Sequence, residues 1–170
     1  MEHHPDIQAA LDALMVSRHS AAVRRMAVER AATTLEILLR ASYTSNNPAA
    51  WSFSSLTGDG FPLEVKFTTS DTLEGDLRYT VDPGGPDLPA TERLSYAIAL
   101  LDELGSQPPN RALLQLLAHW QHVAPASLLH YGAWIGGRHV GSSHDKALMD
   151  RFKLYVEIPS CDQRVCQDLI

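Results

Sequence analysis

Gly60-Phe61-Pro62-Leu63-Glu64-Val65-Lys66-Phe67-Thr68 alternates apolar and polar side chains, and so does Leu77-Arg78-Tyr79-Thr80-Val81-Asp82 after the polar stretch at 70–75. Successive side chains of a β-strand point to opposite faces, so Leu63, Val65 and Phe67 fall on one side and Glu64, Lys66 and Thr68 on the other. Two such runs joined by a short polar loop predict a β-hairpin. Gly58-Asp59-Gly60 reads as the turn before it, Pro62 suits a strand start, and Pro83-Gly84-Gly85-Pro86 ends it.

A second pair of runs lies further along. Tyr131–His139, interrupted by glycines, precedes the polar stretch 140–146, and Arg151–Pro159 places Phe152, Leu154, Val156 and Ile158 opposite Arg151, Lys153, Tyr155 and Glu157. Helical spacing fills the rest. Residues 6–42 carry Ile7, Leu11, Leu14 and Met15, then Ala22, Met26, Ala27, Ala31, Leu35, Leu38 and Leu39, until Thr44–Pro48 stops the pattern. Thr91 reads as the N-cap of a helix through Leu94, Ile98, Leu101 and Leu104, with Gly105 at its C′ position. Asn110 reads as the cap of another helix, carrying Leu113, Leu114, Leu116, Leu117 and Trp120, that ends before Pro125.

The order is helix, hairpin, helix, then helix, hairpin, and a helical stub over 160–170. This is an α+β chain of tandem αββα units, the first over 6–105 and the second, incomplete, over 106–170, within one domain spanning 1–170. The 170 residues suffice for one core. A net charge of −6 argues against a general nucleic-acid binder. No apolar run reaches the ~20 residues of a membrane span, and the N-terminus lacks the regions of a signal peptide. Cys161 and Cys166 match neither C-x-x-C nor a zinc spacing and read as reduced thiols. A cytoplasmic location is the expectation.

The polar strand faces admit two readings. Glu64, Lys66, Arg78, Arg151 and Lys153 can be a plain solvated sheet surface. Alternatively the sheet curls with its helices outside, and Lys66, Arg78, Arg151 and Lys153, with Arg138, crowd into one interior. Crowded cations call for an anion between them, and a diphosphate suits the fork of Arg and the point charge of Lys. Neither a Walker motif nor G-x-G-x-x-G is present. Glu64 is then a general base or holds a substrate N–H, or else is the salt-bridge partner of Lys66 or Arg78. Tyr155 and Trp134 offer π-faces to a cationic intermediate or are packing aromatics.

Other constellations say less. His119 and His122, three apart on a helix, have no carboxylate or cysteine near them to complete a metal set and read as exposed helix histidines. His139 and His144 carry no recognisable spacing. Ser142-Ser143-His144-Asp145 contains triad residue types, but a triad is a spatial arrangement and not a run of neighbours.

Gly60-Phe-Pro-Leu-Glu64-Val, followed by Leu77-Arg78-Tyr79-Thr80-Val-Asp82-Pro83, resembles the first repeat of aromatic prenyltransferases of the dimethylallyltryptophan synthase type. There a Pro-x-Glu strand precedes an Arg-Tyr-Thr/Ser-x-Glu-Pro strand. Lys153-Leu-Tyr155-Val-Glu-Ile-Pro159 is similar to the Lys-x-Tyr strand ending the second repeat. The resemblance covers 60–159 in order, and Asp82 stands where the family has Glu.

It implies a partial antiparallel prenyltransferase (PT) barrel of ABBA type, helices outside. The implied reaction transfers a dimethylallyl or other prenyl group from its diphosphate to an aromatic acceptor such as an indole or tryptophan derivative. Glu64 is implied as the catalytic carboxylate, Arg78 and Lys153 as diphosphate ligands, and Tyr155 as a screen for the allylic cation. Arg151 and Lys66 join the diphosphate set from the ionic-face reading. No metal or other cofactor is expected. The family closes its barrel from more αββα units than the two read here. The chain is then a fragment, a truncated product, or a half that completes its barrel as a homo-oligomer or with a second chain. The alternative function is a non-catalytic half-barrel that serves as a binding or assembly partner.

Overall fold

A computed structural model describes residues 21–43, 54–58, 60–67, 76–106, 110–140 and 151–158. The helical pattern over 6–20, the stop at 44–48, the loops at 70–75 and 141–146, the 142–145 cluster, and the cysteine-bearing stub over 160–170 lie outside the described residues.

Seven main elements follow the expected order: α1 (Ala21–Tyr43), β1 (Leu63–Phe67), β2 (Asp76–Val81), α2 (Ala90–Glu103), α3 (Arg111–Val123), β3 (Ala133–Val140) and β4 (Arg151–Val156), with a 3₁₀ turn at Ala126–Leu128. The two hairpins are one sheet. It is four-stranded and antiparallel in the order β1-β2-β3-β4, and β2 pairs with β3 along Asp76–Val81. The α+β class and the two helix–hairpin blocks match the sequence, and β1 and β4 are the edges of the sheet.

The core lies between this sheet and the helices. Leu63, Tyr79, Val81, Ala133 and Ile135 from the strands meet Ala31, Leu35, Leu38 and Leu39 of α1 and Leu94, Ala97, Ile98 and Leu101 of α2. The 3.6-residue period of the helices and the 2-residue period of the strands put these apolar sets on single faces, as their burial requires. β4 is less well covered, with Phe152, Leu154 and Val156 only half-buried against the core. Arg40 of α1 and Glu103 of α2 pair at 2.7 Å across the outside.

Helix ends show which local signals held. Gly105, at φ +70°, is the C′ residue of α2: its N–H bonds Asp102 O and the next N–H, from Ser106, bonds Leu101 O. That pair of bonds is a Schellman motif, closed by glycine because φ is positive. Asn110 caps α3, its side chain accepting from Leu113 N at 3.4 Å. Thr91 does not cap α2. The helix starts at Ala90 behind Pro89, which takes the N-cap position with an extended ψ of 145°, so Thr91 falls inside the first turn.

Both strands of the second hairpin are shorter than expected. Tyr131 and Gly132 precede β3 and Glu157 follows β4; the backbone bond from Glu157 N to Gly132 O at 2.8 Å carries the pairing one step further, and the Glu157 carboxylate takes the N–H groups of Tyr131 and Gly132. Gly132, at φ +79°, turns the chain there, and a Cβ would fall 2.1 Å from Ala90 O.

Candidate anion-binding site

Strand register decides what the ionic face becomes. Lys66 stands opposite Arg78, Arg78 opposite Arg138, and Arg138 opposite Arg151, one cation per strand straight across the sheet. The next row runs Glu64, Thr80, Gly136, Lys153, and beyond it Trp134 stands opposite Tyr155. All these positions share one parity, on the side away from the core.

Lys66, Arg78, Arg138, Arg151 and Lys153 line one open cavity of about 650 Å³, with Thr80, Gly136 and Tyr155. That volume is in the range of small-molecule sites. Gly136 makes the floor low. A Cβ there would stand 3.0 Å from Tyr155 Cε2, so the tyrosine ring lies across the glycine. Tyr155 is 47% exposed and presents its ring beside the cations.

The adjacent glycine faces the core. A Cβ on Gly137 would stand 2.2 Å from Tyr79 Cζ, so Tyr79 occupies the space that a side chain would need. Its hydroxyl lies 3.2 Å from Nε2 of His139, which is buried and stacked on it at 5.5 Å. His139 is therefore a core residue. The consecutive Gly136-Gly137 was the sequence signal for both close approaches.

The site residues fall as follows. Lys66, Arg78, Arg151, Lys153 and Tyr155 share the cavity, joined by Arg138. Glu64 stands at its margin, paired with Lys66 at 3.3 Å, both side chains well exposed. Of the two roles the sequence left open for Glu64, the ion pair with Lys66 is present. Trp134 packs on Tyr131 at 5.5 Å, a packing role. His119 and His122 are exposed on α3, and among the described residues no group of three or more metal-ligating side chains occurs.

Two charged clusters were not legible. Asp82 and Arg93 form a buried ion pair, and Arg93 also donates to Pro83 O and Gly85 O. Burial pushes the Asp82 carboxyl up, against the opposing pull of Arg93 and Ser54. Glu157 accepts from three successive backbone N–H groups, of His130, Tyr131 and Gly132, at 2.7–3.1 Å. Partial burial alone would raise its carboxyl, but these donors hold it below the ordinary carboxylate range. Gln121 closes the cluster, donating to Gly132 O and Glu157 O.

No family model, curated protein or solved structure matches the chain. No helix among the described residues is long and apolar enough to cross a membrane.

Proposed function

We propose that the cationic face of the sheet binds a prenyl diphosphate and that the chain is part of an aromatic prenyltransferase barrel of ABBA type. The observation that carries this reading is the cation row, Lys66-Arg78-Arg138-Arg151, abreast over the cavity with Lys153 and Tyr155 beside it. Arg78, Arg151, Lys153 and Lys66 hold the diphosphate oxygens. The bond between the allylic carbon and the diphosphate oxygen breaks, and its electron pair leaves with the diphosphate. Cations arrayed beforehand around the leaving group stabilise that charge. Tyr155 presents its π-face to the allylic cation. A carbon of the aromatic acceptor attacks it, and the ring carbon's proton passes to Glu64 or, through water, to solvent. Glu64 is released for this task when the diphosphate takes over Lys66. In this reading the reaction uses no metal or other cofactor and runs in the cytoplasm.

Incubation with dimethylallyl diphosphate and a panel of indole acceptors, read by mass spectrometry, tests it. A product heavier by one prenyl group is expected, and Glu64→Gln should lower its rate about a hundredfold while diphosphate binding persists. Free dimethylallyl alcohol alone, with no prenylated acceptor, rejects transferase activity of this chain. The open edges β1 and β4 favour a second reading, in which the half-barrel binds the diphosphate without turnover until a second copy or another chain closes the barrel. Native mass spectrometry separates the two: a monomer that turns over removes the need for a partner.

A further inference from the structure

β1 is an outer strand, and among the described residues no strand pairs with its far edge. Asp82 N donates to Pro62 O at 3.0 Å, and the register sets Leu63 opposite Val81 and Glu64 opposite Thr80. Bonded and non-bonded pairs alternate along an antiparallel ladder. Glu64 and Lys66 therefore turn their N–H and C=O groups to β2, while Leu63, Val65 and Phe67 turn theirs outward. An outward row of backbone groups is a template for another strand.

The two charges of β1 decide which strand fits. Glu64 and Lys66 share the open face and pair at 3.3 Å, with Leu63 and Val65 on the core side. A two-fold axis normal to the sheet can centre the pairing of β1 with a second β1 on Glu64, on Val65 or on Lys66. Centring on Glu64 or Lys66 sets that residue against its own copy, a directly opposed like-charge pair. Centring on Val65 sets Glu64 against the partner's Lys66 and Lys66 against the partner's Glu64. These are non-hydrogen-bonded positions, where side chains stand closest. The ion pair within each chain is kept, so the four charges alternate in sign around the axis. Leu63, Val65 and Phe67 each donate one backbone hydrogen bond to the partner and accept one. The other edge has no such match. The charges of β4 are Arg151 and Lys153, and the next carboxylate, Glu157, is held by the N–H groups of residues 130–132.

We propose that the partner of this edge is a second copy of the chain, joined through β1 with Val65 opposite the partner's Val65. Two four-stranded sheets become one antiparallel sheet of eight strands, and both cationic faces open to the same side. This names the partner for the half-barrel reading above. The pairing itself stands on the edge alone, whereas what the joined faces hold rests on the prenyl diphosphate reading.

Sedimentation and native mass spectrometry of the full chain, with reductant present, test it. A dimer that forms as concentration rises is expected. Glu64→Lys and Lys66→Glu should each weaken it about tenfold, because two unlike cross-strand pairs become two like ones. Mixed together, these two variants should associate with each other about tenfold more tightly than either does with itself. Val65→Pro removes an outward N–H that takes no part in the β1–β2 ladder and should give a monomer that stays folded by circular dichroism.

A chain that stays monomeric at every concentration overturns the pairing. So does a dimer that Val65→Pro leaves intact, or a pair of charge variants with no preference for each other. Either result puts the contact elsewhere, on β4 or on the exposed stripe Leu113, Leu116 and Val123 of α3. A dimer of the expected kind that binds no dimethylallyl S-thiolodiphosphate keeps the pairing and removes the prenyl reading. A strict monomer that binds it does the reverse.

Discussion

Arg93 enters the core from the first turns of α2 and satisfies both the Asp82 carboxylate and two carbonyls of the Pro83–Gly85 turn. The side chains are 7% and 2% exposed, so each ion depends on the other for the solvation it has lost. Arg93→Met leaves an uncompensated carboxylate and should cost about 3–5 kcal/mol in denaturant unfolding. The paired change Arg93→Met with Asp82→Leu should recover most of that loss. Glu157 works differently, because its partners are backbone N–H groups that form an anion nest. Its carboxyl is held below the ordinary value of about 4.5, so its contribution is present above that pH and is lost as pH falls through the lowered value. Glu157→Gln should cost about 1–2 kcal/mol at neutral pH and progressively less as pH falls below about 4.5, as read from melts across the acid range. A loss that does not change with pH would contradict the nest. Neither cluster was legible from sequence. Asp82 and Glu157 sit in strand-like runs, and nothing local announces that Arg93 or three amides will reach them.

At the scale of elements, period alone separated strands from helices and assigned the residues of the first hairpin and of β4 to faces, while glycine-interrupted β3 was read only as a strand. What it left out was register. The parity of Lys66, Arg78, Arg138 and Arg151 follows from each strand by itself. Their alignment in one row depends on how β2 meets β3, a pairing between segments more than fifty residues apart. The glycines of β3 were read as interruptions, and they are the places where two tyrosines cross the strand. Gly137→Ala puts a methyl group into the ring of buried Tyr79 and should destabilise the fold by about 1–3 kcal/mol, measured by thermal melting. Gly136→Ala meets only the exposed Tyr155 ring, which can shift. It should leave stability within about 0.5 kcal/mol and weaken binding of a prenyl ester more than of inorganic diphosphate, since it moves the aromatic wall and not the cations.

Across the whole molecule the charge is uneven. A chain of net charge −6 gathers five cations on the open face of its sheet, so overall acidity and a local cationic patch coexist. Arg138→Gln, in the middle of the row, should weaken diphosphate binding. Diphosphate should raise the wild-type melting temperature with the logarithm of one plus its concentration over Kd. The proposed barrel, acceptor and turnover reach beyond the four strands described, whereas the cations of the proposed anion site all lie on them. Its most direct test is calorimetric titration with dimethylallyl S-thiolodiphosphate, a non-reacting analogue, at low ionic strength. Binding that weakens at least tenfold in Arg151→Gln and in Lys153→Met, and that fades as salt rises, is the expected result. No binding, or binding that both substitutions leave unchanged, would contradict the account.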